Sequence, residues 1–253
     1  MGLVRRIPPL VLVIILALIG ALTAGRWPAT SLNATPQRQS PHPTGTLQGT
    51  VRWNGTEVPQ PTAVPKATGA DKCGRLHKSR DPSVSDRGGG VHNVIVTLVD
   101  VPVGTAPPPP PGRLLLDNID CGFSPRVAVL TVGSLFEMHN SDPTLHLVHL
   151  QGSIEANIAL PLQGMTANRT LKRTGMFVVK CDVHRWMQAF VRVDDHPFHA
   201  VTDRAGSFSI TEVPAGEYTL EAWHEMLGRR QKTVRVRVDT TTTVALEFSE
   251  REP

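Results

Sequence analysis

The sequence predicts an all-β protein. Short Val-, Thr- and Leu-rich runs recur between turn signals, Gly and Pro are abundant at 21 and 22 residues, and no long amphipathic helix stands out. At 253 residues the chain suits one domain of about 150 residues plus a smaller one.

Residues 1–25 read as an export segment. Arg5 and Arg6 precede an almost unbroken apolar stretch from Ile7 to Ala24, and Leu22-Thr23-Ala24 offers a small residue for cleavage. About eighteen apolar residues also approach the length of a membrane span, so a cleaved signal peptide and an uncleaved anchor both stay open. In either case the remainder is expected to be exported: periplasmic, or anchored outside the cytoplasm. The formal net charge is +4, and loss of Arg5 and Arg6 would lower it to +2. With so small an excess, and basic residues scattered without interleaved aromatics, nucleic acid is not an expected partner.

Residues 26–45, with Pro28, Pro36, Pro41 and Pro43 among Ser, Thr and Gln, are expected to be a flexible tether. A first strand follows over 45–53 and turns at Asn54-Gly55. Another spans Val91 to Val99, where Val94, Val96 and Leu98 alternate with Asn93, Ile95 and Thr97. Pro107 to Pro111 cannot donate ladder hydrogen bonds and mark an exposed, stiff connector. Two strands split by Gly133-Ser134 follow within 121–140, and a third runs from Gly175 to Cys181. There Phe177 and Val179 share the face of Cys181 by period-two alternation. After His196-Pro197 a smaller unit begins, with strands expected at 207–210, 217–223, 231–238 and 242–248. So few strands make a marginal core alone, and this unit is expected to pack on the larger one.

Chemistry concentrates in Cys181-Asp-Val-His184-Arg-Trp-Met187, read with His146 thirty-five residues before the cysteine. Two imidazoles, a thiolate and a thioether are the ligand set of a blue-copper electron-transfer site: soft sulfur favours Cu(I), and imidazole serves both oxidation states. His149 is a competing first ligand. His146 and His149 face opposite sides of an extended strand, so both should not reach one metal. His139 is expected to face solvent on its strand. Three cysteines in an exported chain are an odd number. With Cys181 placed in the motif, Cys73 and Cys121 form the natural disulfide pair, the alternative being two reduced core cysteines.

These residues resemble a cupredoxin, with ligand-loop spacing similar to amicyanin. The likeness covers residues 46–195 and is carried by Asn140-Ser-Asp142-Pro-Thr-Leu-His146 and by Gly175 to Met187. It implies a Greek-key β-sandwich holding one mononuclear type 1 copper through His146, Cys181, His184 and Met187. It also implies one-electron exchange with redox proteins such as a cytochrome or dehydrogenase, with no catalytic residues. Leu147 stands where the family often has an Asn that ties the two ligand loops together. A partly exposed His184 would be the electron port, with Trp186 and Met187 lining an apolar docking patch. For Trp186, packing in the loop is the alternative.

Residues 196–253 resemble the carboxypeptidase regulatory-like domain, a small prealbumin-like β-sandwich, through Val201-Thr-Asp-Arg-Ala-Gly-Ser-Phe-Ser-Ile and Val213-Pro-Ala-Gly-Glu-Tyr-Thr-Leu. His196, His199 and Trp223-His224-Glu225 are candidates for a second metal or sugar site, or for purely structural roles. Two other functions stay open for the whole chain: a copper carrier that hands over metal, and a metal-free carbohydrate-binding or adhesion module. Serine-hydrolase and P-loop signatures are absent from the sequence.

Overall fold

A computed structural model describes residues 43–57, 73, 84–85, 89–102, 104–105 and 109–250. The expected export segment and all of the tether up to residue 42 lie outside these residues. So do Pro107 and Pro108. The described chain is all-β, and none of its segments is a helix long and apolar enough to cross a membrane.

Sixteen strands are present among the described residues: β1 (Thr44–Trp53), β2 (Ile95–Val99), β3 (Arg113–Ile119), β4 (Gly122–Ser124), β5 (Val127–Thr131), β6 (Leu135–Asn140), β7 (His146–Gln151) and β8 (Ala156–Leu160), then β9 (Thr166–Thr170), β10 (Gly175–Cys181), β11 (Gln188–Asp194), β12 (His199–Val201), β13 (Ser207–Pro214), β14 (Gly216–His224), β15 (Gly228–Val236) and β16 (Thr241–Phe248). They form four sheets, in the orders β4-β3-β6-β9, β5-β11-β10-β7-β8, β13-β1-β16 and β12-β2-β14-β15.

The first two sheets enclose one core. Leu116, Phe136 and Met138 from one meet Val148, Phe177, Val179 and Val191 from the other, all buried. The alternation read from the sequence holds in β10, where Phe177, Val179 and Cys181 are buried and Lys180 is exposed. Gly133 takes a φ of 90°, a conformation that opens the turn between β5 and β6 at no steric cost for glycine.

The other two sheets enclose a second core, and here the pairing departs from expectation. The sequence placed the strands at 45–53 and 91–99 in the unit spanning 46–195. Instead β1 pairs antiparallel with β13 and parallel with β16, and β2 pairs with β12 and β14. Leu47, Val51, Val96 and Leu98 are buried with Phe208, Leu220, Val244 and Phe248. The physical reason is the marginal core noted above. Strands β13 to β16 alone expose too much apolar face, and each large side chain covered by β1 or β2 contributes about 1.5–3 kcal/mol of transfer free energy. The first sandwich is thus inserted between β2 and β12 of the second.

A third apolar cluster joins the two. Ile95 from β2, Val127 from β5 and Phe190 from β11 are buried together, with Val201 and Trp223 packed against them. Phe190 and Trp223 meet edge to face at 5.2 Å.

Candidate metal centre

Strand directions bring the candidate ligands to one end of the inserted sandwich. β7 begins at His146, and Cys181, the last residue of β10, pairs with Val148 of β7. Six residues then lead to β11, whose first residue Gln188 pairs with Lys180. Two backbone bonds close this loop: the Met187 N–H donates to the His184 carbonyl at 2.9 Å and the Cys181 N–H to the Met187 carbonyl at 3.3 Å. A cysteine at a strand end, a histidine in the turn and a methionine on the return must therefore face one region.

The side chains converge. Cys181 Sγ lies 3.7 Å from His146 Nδ1 and 3.7 Å from His184 Nδ1, and the two Nδ1 atoms are 3.1 Å apart. His146, Cys181, His184 and Met187 are 0, 2, 1 and 1% exposed. Met187 sits in the same buried cluster as Cys181 and Trp186.

His146 is held from behind. Its Nε2 lies 3.0 Å from Asp142 Oδ2. A carboxylate accepts only, so Nε2 carries the ring proton and Nδ1 presents a lone pair to Cys181 and His184. The same carboxylate oxygen accepts the Cys121 N–H at 3.0 Å. Asn140, fully buried, sets the loop itself: its side chain donates to the carbonyls of Thr144 at 2.8 Å and Leu160 at 2.9 Å and accepts the Asp142 N–H at 3.0 Å. The Leu147 backbone ties the start of β7 to the loop after Cys181. Its N–H donates to the Cys181 sulfur and its carbonyl accepts the Asp182 N–H at 3.2 Å.

Burial works against ionisation of the Cys181 thiol, but its contacts with the His146 and His184 rings, with backbone N–H groups, outweigh it and bring the pKa down to about 6. Thiolate is therefore the main form at neutral pH, the form that binds a metal. These donors fit a soft metal. Bonds of about 2.0–2.1 Å to nitrogen and about 2.3 Å to sulfur, opened by about 120°, place S and N about 3.7 Å apart.

The predicted disulfide is present: Cys73 is bonded to Cys121, leaving Cys181 as the free thiol. Its position was not foreseen. Cys73, fully buried, lies with its ligand atom within 4.8 Å of ring nitrogens of both His146 and His184. Trp186 donates its indole N–H to the Cys121 carbonyl at 2.9 Å, and its ring stands 5.1 Å from that of His184.

Other candidates fall elsewhere. His149 faces the opposite side of β7 and bonds Asp182 and Glu155, each at 3.1 Å, so it does not join the cluster. His139 is half-buried rather than facing open solvent, with Nδ1 3.1 Å from Asp117. Two expectations are corrected. His184 is not partly exposed, and Trp186 and Met187 form no surface patch, because Trp186 turns inward to the Cys121 carbonyl. The exposed apolar residues at this end are Ile119, Leu145, Leu162 and Val183. Their loops share one end because β3 runs parallel to β6, and β7 antiparallel to both β8 and β10.

The C-terminal histidines are engaged locally. His199 bonds Asp194 at 2.9 Å, His196 accepts the Phe198 N–H at 3.2 Å, and His224 accepts the Met226 N–H at 3.2 Å. Among the described residues, the closely spaced donor groups include none of these three. Asn140 and Asp142 were the roles sequence reasoning missed, although both stand in the motif that flanks His146.

A protein-family model described as polysaccharide lyase family 4, domain II, matches residues 169–244. No curated protein matches the chain in sequence. Among solved structures, the chain is similar to a Cu-containing nitrite reductase from Thermus scotoductus SA-01, at 24% identity and a TM-score of 0.31, over 38% of this chain and 25% of that one. It is similar to a mutant of amicyanin in the Cu(I) form, at 20% identity and a TM-score of 0.27, over 33% of this chain and 83% of that one. Amicyanin from Paracoccus versutus gives 14% identity and a TM-score of 0.30, over 39% of this chain and 97% of that one. The match thus spans about a quarter of the nitrite reductase, and each likeness covers less than two fifths of this chain.

Proposed function

We propose that His146, Cys181, His184 and Met187 hold one mononuclear type 1 copper, and that the chain is an exported carrier of single electrons without a substrate of its own. The observation that carries this reading is the buried triangle of two Nδ1 atoms and one Sγ, with sides of 3.1, 3.7 and 3.7 Å. Bound copper would supply the one-electron couple. The residues supply constraint: Asp142 fixes the His146 tautomer, the Leu147 backbone ties β7 to the Cys181 loop, and burial keeps water from the donors. Little can rearrange when the charge at such a site changes.

Electron entry is assigned to the apolar end formed by Ile119, Leu145, Leu162 and Val183, which are 43, 38, 67 and 39% exposed. Leu145 and Val183 directly precede His146 and His184 in sequence. A transient partner such as a cytochrome or dehydrogenase would dock there. The disulfide supports an exported, oxidising location. The second sandwich is read as an accessory unit of the carboxypeptidase regulatory-like kind that braces the first. Burial of every donor disfavours a carrier that hands over its metal.

The test is the visible absorption and EPR spectrum of residues 27–253 loaded with Cu(II), beside Cys181→Ala. Intense thiolate-to-copper charge transfer with narrow hyperfine splitting, lost in the variant, supports the reading. A colourless protein, or ordinary tetragonal copper signals unaffected by the substitution, would overturn it.

A further inference from the structure

The disulfide is not remote from the metal centre. Cys73 Sγ lies within 4.8 Å of a ring nitrogen of His146 and of one of His184, and Cys181 Sγ lies 3.7 Å from the Nδ1 of each. Two sulfurs therefore neighbour the same pair of imidazoles, and one of them is held by its bond to Cys121. A tetrahedral site with bonds of about 2.3 Å to sulfur and 2.0–2.1 Å to nitrogen separates S from N by about 3.5 Å. A released Cys73 could close on the imidazoles by a change at its χ1.

Cys121 does not depend on the disulfide for its place. Its N–H is held by Asp142, its carbonyl by Trp186, and its φ is 56°. Cleaving the S–S bond leaves this scaffold and both imidazoles where they are. Cys73 is the sulfur freed beside the donors.

We infer that reduction of the Cys73–Cys121 disulfide creates a second metal-binding state of this centre, in which Cys73, Cys181, His146 and His184 form an S2N2 site for a thiophilic d10 cation such as Zn(II). The inference rests on the copper-site reading of His146, Cys181 and His184. A dithiol reductant supplies the two electrons: the S–S bond breaks, each sulfur of the protein takes one proton, and the reductant becomes a disulfide. Cys73 then loses its proton to solvent on binding the metal. Two thiolates with two imidazoles select a closed-shell tetrahedral ion over the one-thiolate copper site. The centre would thereby register the redox state of its compartment.

The test is zinc X-ray absorption on the whole chain carrying Cys121→Ser, which leaves Cys73 free, beside Cys73→Ser/Cys121→Ser. Wild-type chain reduced by a dithiol and then loaded with Zn(II) repeats the first arm with no substitution. Two sulfur neighbours at the thiolate distance of about 2.3 Å in the single variant and in the reduced wild type, against one in the double variant, support the inference. One sulfur in all three overturns it and leaves the copper reading intact. No sulfur in any of them overturns the copper reading and the inference with it.

Discussion

At the scale of single residues, Asp142 carries more of the centre than any group outside the donors. One carboxylate oxygen accepts both the His146 Nε2–H and the Cys121 N–H, each at 3.0 Å. Asp142→Ala orphans two buried donors at about 1–3 kcal/mol each, so urea unfolding of the metal-free chain should show a loss of about 3 kcal/mol. Asp142→Asn can still place an oxygen against both N–H groups and should lose less. Both variants release His146 from a charged partner. A loss of about 10–100-fold in copper affinity, typical of such outer contacts, is expected in competition with a chelator. Unchanged affinity in both would mean that the loop, and not the carboxylate, orients the ring.

Among the elements, β1 is the most informative because its partners are so far off in sequence. Gly49 pairs with Phe208 of β13 and Val244 of β16. A Cβ there would stand 2.0 Å from the Val244 carbonyl oxygen and 2.8 Å from the Phe208 ring. Overpacking of this kind costs about 1–3 kcal/mol, so Gly49→Ala should lower the urea midpoint while leaving the blue absorption of the copper-loaded chain unchanged. A shifted absorption with unchanged stability would instead tie β1 to the inserted sandwich, where the sequence placed it. That misplacement has a physical cause. Alternation reports which face of a strand is buried, as for Leu47 and Val51, but not which strand lies beside it. β7 and β10 were legible because they carry their chemistry in their own sequence, and the period-two rule separated His146 from His149 without a structure. The disulfide followed from cysteine arithmetic. Its approach to the imidazoles did not, because that depends on where Asp142 and Trp186 fix Cys121. Exposure of His184 was misjudged for the same reason: burial of a loop residue is set by what packs over it.

On the scale of the whole molecule, the inserted sandwich is joined to its host by charge as well as by the cluster around Phe190. Asp194, at the end of β11, accepts from Arg192 at 2.7 Å, from His199 of β12 at 2.9 Å and from Thr97 of β2 at 3.1 Å. Arg126, before β5, pairs with Glu225, which follows β14. Burial alone would raise both carboxyl pKa values. His199 and Arg192 at Asp194, and His224 and Arg126 at Glu225, outweigh it and hold both below their ordinary values of 3.8 and 4.5. The folded state thus binds these two protons less readily than the unfolded chain. The resulting stability is fully present above the ordinary carboxylate range and is lost as pH falls through the lower folded values. Urea midpoints should therefore hold from neutrality to about pH 5 and then drop steeply. Asp194→Asn leaves Arg192 and His199 facing a neutral amide in a buried seam, so it should cost about 3 kcal/mol at pH 7, in the range for breaking a buried pair. It should also flatten the acid limb, because one of the protons that drives it has been removed. A wild-type chain that instead unfolds in two steps, with Asp194→Asn moving only one of them, would show that the insertion and its host are stable independently. The seam would then be a contact between them and not a determinant of the fold.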